Sequence, residues 1–197
     1  DGAGNYCNTA SIRSLVDGTP GNNDSPGDLT FMTTPSGTCQ PVARMTISQA
    51  GYVTKPNTPS YFAYSTTSQN HSNNTDINPG GWSTSGGGKH NIGSHFNTSN
   101  STFTAPVAGR YFVSMQYSFW YGSDNSEQDG HQLVLFINGG GYNQYFLQGG
   151  LKSGAEGLVI GQAIVNLSAN DTVKWRHDGY GGTGYYNIFT TFGYLLG

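Results

Sequence analysis

No apolar run in this chain is longer than a strand. The longest, Leu133 to Ile137, spans five residues, and glycine, asparagine or proline cuts the sequence before another can grow. Short alternating runs between such punctuators build strands and turns, and nothing here repeats every 3.6 residues as an amphipathic helix requires. The composition agrees: 30 glycines, 13 tyrosines and 10 phenylalanines stand against only 8 lysines and arginines. The reading is all-β. Hydrophobic content is low for a large monomeric core while aromatic content is high, so subunit interfaces are expected to supply part of the burial.

The formal charge of −3 comes from scattered residues, with no basic cluster of the kind that neutralises phosphates. Nucleic-acid binding is therefore not expected. No apolar stretch approaches the length of a membrane helix, so membrane insertion is not expected either. Asp1 is not a natural start, so the amino end is expected to have been removed or left out. Cys7 and Cys39 both lie in the first forty residues, so the rest folds without disulfides or thiolate metal sites. A bridge within or between chains and a pair of buried free thiols are equally consistent with that spacing.

Composition shifts near residue 57, giving two parts, 1–57 and 58–197. In the first, Ser11–Val16, Leu29–Met32 and Arg44–Ser48 read as strands between turn-rich stretches. Three strands of about five residues cannot make a stable core alone and need neighbouring repeats or chains. Lys55-Pro56-Asn57-Thr58-Pro59 reads as a stiff extended linker. Beyond it eight strands are expected: Tyr61–Ser65, Ile92–Phe96, Arg110–Phe119, His131–Asn138, Asn143–Gln148, Leu158–Leu167, Thr172–His177 and Asn187–Leu196. That count and spacing predict a sandwich or jelly roll.

The segment Asn91-Ile92-Gly93-Ser94-His95-Phe96-Asn97, followed by Phe103-Thr104-Ala105-Pro106-Val107-Ala108-Gly109-Arg110-Tyr111-Phe112, resembles the signature of the C1q/TNF-like jelly roll. Flanking motifs agree in order. Pro59-Ser60-Tyr61-Phe62-Ala63-Tyr64 resembles the first strand, and Leu133-Val134-Leu135-Phe136-Ile137-Asn138-Gly139 the central strand before its turn. Leu167-Ser168-Ala169-Asn170-Asp171-Thr172-Val173 resembles a late step between strands, with Asn170 in place of glycine, and Phe192-Gly193-Tyr194-Leu195-Leu196 the closing strand. In physical terms, Pro106 and Gly109 frame a tight turn, and Gly193 admits a neighbouring chain or aromatic ring to the backbone.

The amino-terminal part is similar to a repeat of bacteriophage tail-fibre and virion-fibre proteins. The likeness rests on the stretch from Val16 through Gly37 and on that from Pro41 through Val53. Ser25 and Asp28 stand where Met and Arg are usual, and Val42-Ala43 where an acidic residue is usual. The two resemblances together imply a fibre neck (1–57) leading into a C1q-like head (58–197), assembled as a homotrimer. They imply a non-enzymatic virion protein, assembled in the host cytoplasm, that meets a host-surface glycan or protein and other virion proteins.

Alternation divides the aromatics of the head. Phe62 and Tyr64 share one face of the first strand, and Phe192, Tyr194 and Leu196 one face of the last. Strands so placed in the family are neighbours, so these five residues are expected at the subunit interface, although filling the sandwich is the simpler use of them. Tyr180, Tyr185 and Tyr186, with Trp120, Tyr121 and Tyr142, sit on Gly-rich connections suited to adaptable recognition and are the expected receptor contacts. Ordinary hairpin connections have the same composition.

Asp124, Glu127 and Asp129 offer an oxygen-rich loop to a hard cation such as calcium, though without EF-hand spacing, and a solvated acidic loop is the plainer reading. No other cofactor is expected. The five histidines show no zinc-like pairing, and no nucleophile elbow or phosphate loop occurs. Asp171 with Asp178, or Glu127 with Asp129, could serve as the carboxylate pair of a fibre-borne depolymerase, but nothing in the sequence distinguishes them from surface acids. A secreted C1q-like lectin is the other rival. Its glycans would use sequons beginning at Asn70, Asn73, Asn97, Asn100, Asn166 and Asn170; of these, Asn166 and Asn170 are read as turn residues.

Overall fold

The computed structural model describes residues 6–70, 75–121, 131–148, 156–179 and 184–197, and among these there is no helix. The chain divides into two compact units, Asp1–Thr58 and Pro59–Gly197.

The first unit is a single four-stranded antiparallel sheet in chain order: β1 (Ala10–Val16), β2 (Gly27–Thr33), β3 (Val42–Ile47) and β4 (Val53–Thr54). The sequence anticipates the first three; the two-residue β4 is too short to leave a pattern. The turns between strands use Gly18, Gly37 and Gly51 at positive φ, where a Cβ is strained. Of the described residues in this unit only Thr30 is buried. Cys7 and Cys39 are joined in a disulfide, which settles the choice left open by their spacing.

The second unit is a two-sheet sandwich. Its remaining elements are β5 (Ser60–Ser65), β6 (Gln69–Asn70), β7 (Thr75–Asp76), β8 (His90–Ile92), β9 (Phe96–Asn97), β10 (Thr102–Thr104), β11 (Gly109–Tyr121), β12 (His131–Ile137), β13 (Gly140–Gln148), β14 (Glu156–Leu167), β15 (Thr172–Gly179) and β16 (Gly184–Leu195). One sheet runs β14-β11-β16-β5-β8, with β6 also on β16; the other runs β13-β12-β15-β10-β9, with β7 also on β15. All its pairings are antiparallel, and sequence neighbours are repeatedly sent to opposite sheets, as in a jelly roll.

One expected strand is wrong. Ile92–Phe96 is two strands in different sheets, β8 paired to β5 and β9 to β10. Gly93 and Ser94 both take positive φ between them, and Asn91 clips the corner by accepting from the Phe96 amide (3.0 Å) and donating to its carbonyl (2.8 Å). The alternation of Ile92 and Phe96 thus belongs to a corner, which has no fixed period. The short β10 escaped notice for the same reason as β4.

Aromatic rings fill the space between the sheets. Tyr61 stacks on Phe96 (4.7 Å between centroids) and Phe103 (5.1 Å), Trp82 meets Phe96 and Phe189 edge-on, and Tyr111 packs on Phe103. Trp82 donates to Ser101 (2.7 Å), whose hydroxyl donates to Asn78, so the indole is satisfied inside the core. Thr191 donates to the Ser114 carbonyl (2.8 Å), leaving its oxygen to accept from Tyr61. Burial pushes the Tyr61 phenol up to about 12 despite that bond. Gly193 makes room for this ring: a Cβ there would lie 2.7 Å from a Tyr61 ring carbon. The expected turn before β11 is present, and the Tyr111 hydroxyl ties it by donating to Val107 (2.8 Å).

The disulfide closes a loop whose ends are 32 positions apart. For a loop of that size the chain-entropy account gives about 3–4 kcal/mol, a large share of the stability of a one-layer sheet. Replacing Cys7 and Cys39 by serine is therefore expected to lower the unfolding transition of the first unit and to leave that of the cysteine-free second unit in place. Differential scanning calorimetry with unit-resolved hydrogen exchange checks both halves.

Candidate functional site

The sheet β14-β11-β16-β5-β8 has two apolar faces. Tyr61, Ala63, Val113, Met115, Val159 and Val165 are all buried against the other sheet. On every strand the residues between them point the opposite way. Strand pairing sets these outward residues in rows: Ile164, Phe112, Tyr194, Ser60 and Ile92 in one; Gln162, Ser114, Phe192, Phe62 and His90 in the next.

The rings in these rows touch. Phe112 lies 5.7 Å from Phe192 and 5.5 Å from Tyr194, and Phe192 meets Phe62 edge-on at 6.5 Å. Ser114, paired with Gln162 and Phe192 in the same rows, is only 1% exposed although it points away from the core. Around the cluster the face is open: Ile164 is 61% exposed and Tyr194 42%, with Leu158, Ile160 and Ile92 also exposed. Among the described side chains of this face, Arg110 at one end is the only one with a full charge, the rest being apolar, hydroxyl, amide or the imidazole of His90. Isolated exposed apolar residues are ordinary, but a contiguous patch of this kind on a sheet marks an interaction surface.

Phe62, Tyr64, Phe192 and Tyr194 therefore lie on one surface, outside the sandwich, and the simpler use of them as core filling is excluded for this chain. Their opposite numbers Ala63 and Gly193 are buried, and Leu195 packs against the core. Leu196 lies just past the end of β16, exposed, with its amide donating to the Arg110 carbonyl (2.8 Å). Sequence reasoning missed Phe112, Ile160 and Ile164, though the alternation of β11 and β14 carries the signal. What it lacked was the neighbour relation of those strands.

Of the expected receptor contacts, Tyr180 lies outside the described residues, as do Asp124, Glu127 and Asp129 of the acidic loop. The other five fall on strands. Trp120 and Tyr121 are at the end of β11, Tyr142 is in β13, and Tyr185 and Tyr186 open β16. Register pairs Trp120 with Tyr185 and Phe119 with Tyr186, so four aromatic positions distant in sequence meet at one end of the sheet. A bulge follows them, where Ile188 takes φ 52°, a conformation that a β-branched side chain adopts only under strain.

The carboxylate pair Asp171 and Asp178 is not a catalytic pair. Asp171 immediately precedes β15 and Asp178 lies near its far end, about 23 Å away at ~3.3 Å per residue. Glycoside hydrolysis needs the two within roughly 5–9.5 Å. Asp171 instead fixes a turn, accepting from Asn138 Nδ2 (2.7 Å) and from the Ser168 amide (2.7 Å). Asn138 in turn accepts from the Thr172 amide (2.8 Å). The Asn138 and Ser168 bonds hold the Asp171 carboxyl below its ordinary range. Asn170, next to it, takes φ 71°, which explains how asparagine serves where glycine was expected. Asn166 is not a turn residue; it lies within β14, opposite Arg110.

Sequence reasoning also missed an ion-pair cluster on the other sheet. Asp76 accepts from Arg176 Nε (3.1 Å) and Lys174 Nζ (3.4 Å), and the Arg176 guanidinium lies 4.3 Å from the Phe136 ring centre. All three charged side chains are about a third exposed or more, so the cluster is a surface staple of modest worth.

No protein-family model matches the chain, and no curated protein does either. Solved structures do. The globular domain of zebrafish complement 1qA superposes with a TM-score of 0.51 at 17% identity, over 71% of this chain and 98% of that one. The fold of the larger unit is a C1q/TNF-like jelly roll. The covered share equals that of Pro59–Gly197 in the chain, and at this identity the likeness establishes the fold alone. A tumour-necrosis-factor structure, Eiger from S. frugiperda, aligns over 71% of this chain and 94% of that one, at 14% identity and a TM-score of 0.49.

A carboxylate whose folded pKa is lowered adds stability that is complete above its unfolded pKa and is lost as pH falls through the folded one. Asp171→Asn is accordingly expected to lower the melting temperature of the jelly roll near neutral pH. The difference from wild type should shrink as the pH is taken below about 4, the ordinary range of aspartate. A melting series from pH 7 to pH 2 measures it.

Proposed function

We propose that this protein is a non-enzymatic structural component of a bacteriophage virion, a homotrimeric fibre tip whose jelly-roll head contacts the host surface or another virion protein. The carrying observation is the aromatic face of the sheet β14-β11-β16-β5-β8, where Arg110 at one end is the only full charge among the described side chains. Exposing such a face to water is costly, since each Phe or Ile that becomes fully buried gains about 1.5–3 kcal/mol. A few of these residues per subunit supply an association energy comparable to that of folding itself. Self-association satisfies all copies at once, and three copies around an axis place Phe62, Tyr64, Phe112, Phe192 and Tyr194 inside.

The viral part of the reading rests on the amino-terminal segment, whose sequence resembles a fibre repeat. Attachment is assigned to Trp120, Tyr121, Tyr142, Tyr180, Tyr185 and Tyr186. The pairing of Trp120 with Tyr185 in the ladder supports grouping the β11 and β16 members of that set. Three equivalent sites gain by avidity, so weak single contacts suffice for adhesion. The fibre would be assembled in the host cytoplasm and carried on the virion.

Sedimentation of the full chain is expected to give a trimer, and Phe192→Asp a folded monomer, with far-UV circular dichroism as the control for folding. A stable wild-type monomer would defeat the reading. Binding of labelled trimer to host cells should fall on Tyr185→Ala without dissociation. It should fall by a factor of roughly 10²–10⁴ in the Phe192→Asp monomer, where avidity is lost. Release of shortened chains from host polysaccharide would overturn the non-enzymatic assignment.

A further inference from the structure

The first unit is amphipathic across its faces in a way the chain order conceals. Ile12, Phe31 and Met45 form one row, and Ser14, Leu29, Ile47 and Val53 the next row on the same face. Between them, on the opposite face, runs Arg13, Thr30, Thr46 and Thr54. A β-bulge places Arg44 as an extra residue, with its Nε donating to Thr33 Oγ1 (2.8 Å). The bulge keeps Val42, beyond it, on the face of the apolar rows: Val42 pairs with Thr33, as Met45 pairs with Phe31. Arg44 apart, the described side chains of that face carry no charge. Ile12 is 68% exposed and Val53 56%.

We propose that this apolar face is a second self-association surface: the corresponding faces of other copies of the same chain cover it, and that cover is what orders the unit. The choice of occupant follows from complementarity. A face of Ile, Leu, Phe and Val whose one charge, Arg44, is held at its margin by Thr33 is best covered by a surface equally poor in charge, and its own copy is one. A shallow depression of about 480 Å³ where β1 meets β2, lined by Ala10, Ile12, Phe31, Thr33 and Arg44 among others, offers a socket for an apolar side chain of the neighbouring copy.

Size decides how the association is held. Three strands of six or seven residues and a fourth of two, at ~4.8 Å between strands and ~3.4 Å per residue, give a face of roughly 350 Å². Two such faces bury about 700 Å², under half of what a stable complex typically buries. The unit is thus too small to associate alone at ordinary concentration. Only residues 55–59 separate β4 from β5, so a trimeric head raises the local concentration of the first units to about the millimolar range. In this respect the inference rests on the proposed trimer.

The test uses the full chain in four forms, with hydrogen exchange of residues 10–54 and sedimentation measured on each. Leu29→Asp, on the apolar face, should speed exchange of β1–β3 about tenfold or more while the molecule still sediments as a trimer. Leu15→Asp, on the opposite face and likewise exposed, should leave exchange at the wild-type level. Phe192→Asp should give a monomer whose first unit exchanges as fast as in Leu29→Asp. A wild-type trimer in which Leu29→Asp changes nothing, or in which Leu15→Asp opens the unit equally, overturns this inference alone. A wild-type monomer with a protected first unit overturns it together with the trimer.

Discussion

A strand gives its side chains to two sides in strict alternation, so a strand apolar on both sides commits its sheet to being covered twice. Strands β5, β11, β14 and β16 are such strands, and the architecture of the larger unit follows from satisfying one of their faces. The second sheet covers Tyr61, Val113, Val165 and their neighbours with a layer of stacked rings. The other face carries Phe62, Phe112, Ile164, Phe192 and Tyr194 and has no covering layer among the described residues of this unit. The same physics that closes the sandwich therefore leaves a demand for cover on the outer face, and the proposed trimer rests on that demand.

The polar groups are placed to let that division stand. Gly193 gives up a side chain so that the Tyr61 ring can lie on the backbone of β16, while Phe192 and Tyr194 on either side face out. Thr191 satisfies the buried phenol while its own hydroxyl donates to the Ser114 carbonyl, and Trp82 is satisfied through Ser101 and Asn78. The turn knot of Asn138, Asp171 and Thr172 fixes the register of β12 against β15 at one end. Charges gather on the other sheet, where Asp76, Lys174 and Arg176 remain partly in water. The apolar outer face is thus a consequence of where the chain could afford polarity.

In the first unit the demand is sharper, since it has one layer and hardly a buried side chain. A disulfide restricts its unfolded state, but restriction alone does not hide Ile12, Leu29 and Val53 from water. Entropy and burial act separately here: the bridge lowers the cost of forming the sheet and leaves its apolar face exposed among the described residues.

Most of the fold was legible in the sequence because alternation and turn chemistry are local. The long strands β11, β14 and β16, the turn at Asn138-Gly139, and the opposite directions of Phe62 and Ala63 all follow from residues within reach of one another along the chain. The break between Ile92 and Phe96 was not legible, because a corner that changes sheets is held by the Asn91 side chain and two positive φ angles, which leave no period. Nor was the extent of the candidate face. Phe112 and Ile164 join Phe192 only through pairings between residues 52 to 82 positions apart, which tertiary structure alone decides. The distance between Asp171 and Asp178 was decided at the same level, by the straightness of β15. Which side of each strand is apolar was already written in the alternation, since that is a matter of period two; which of those sides meets the core and which stays exposed was settled in three dimensions, because that depends on which strands lie side by side.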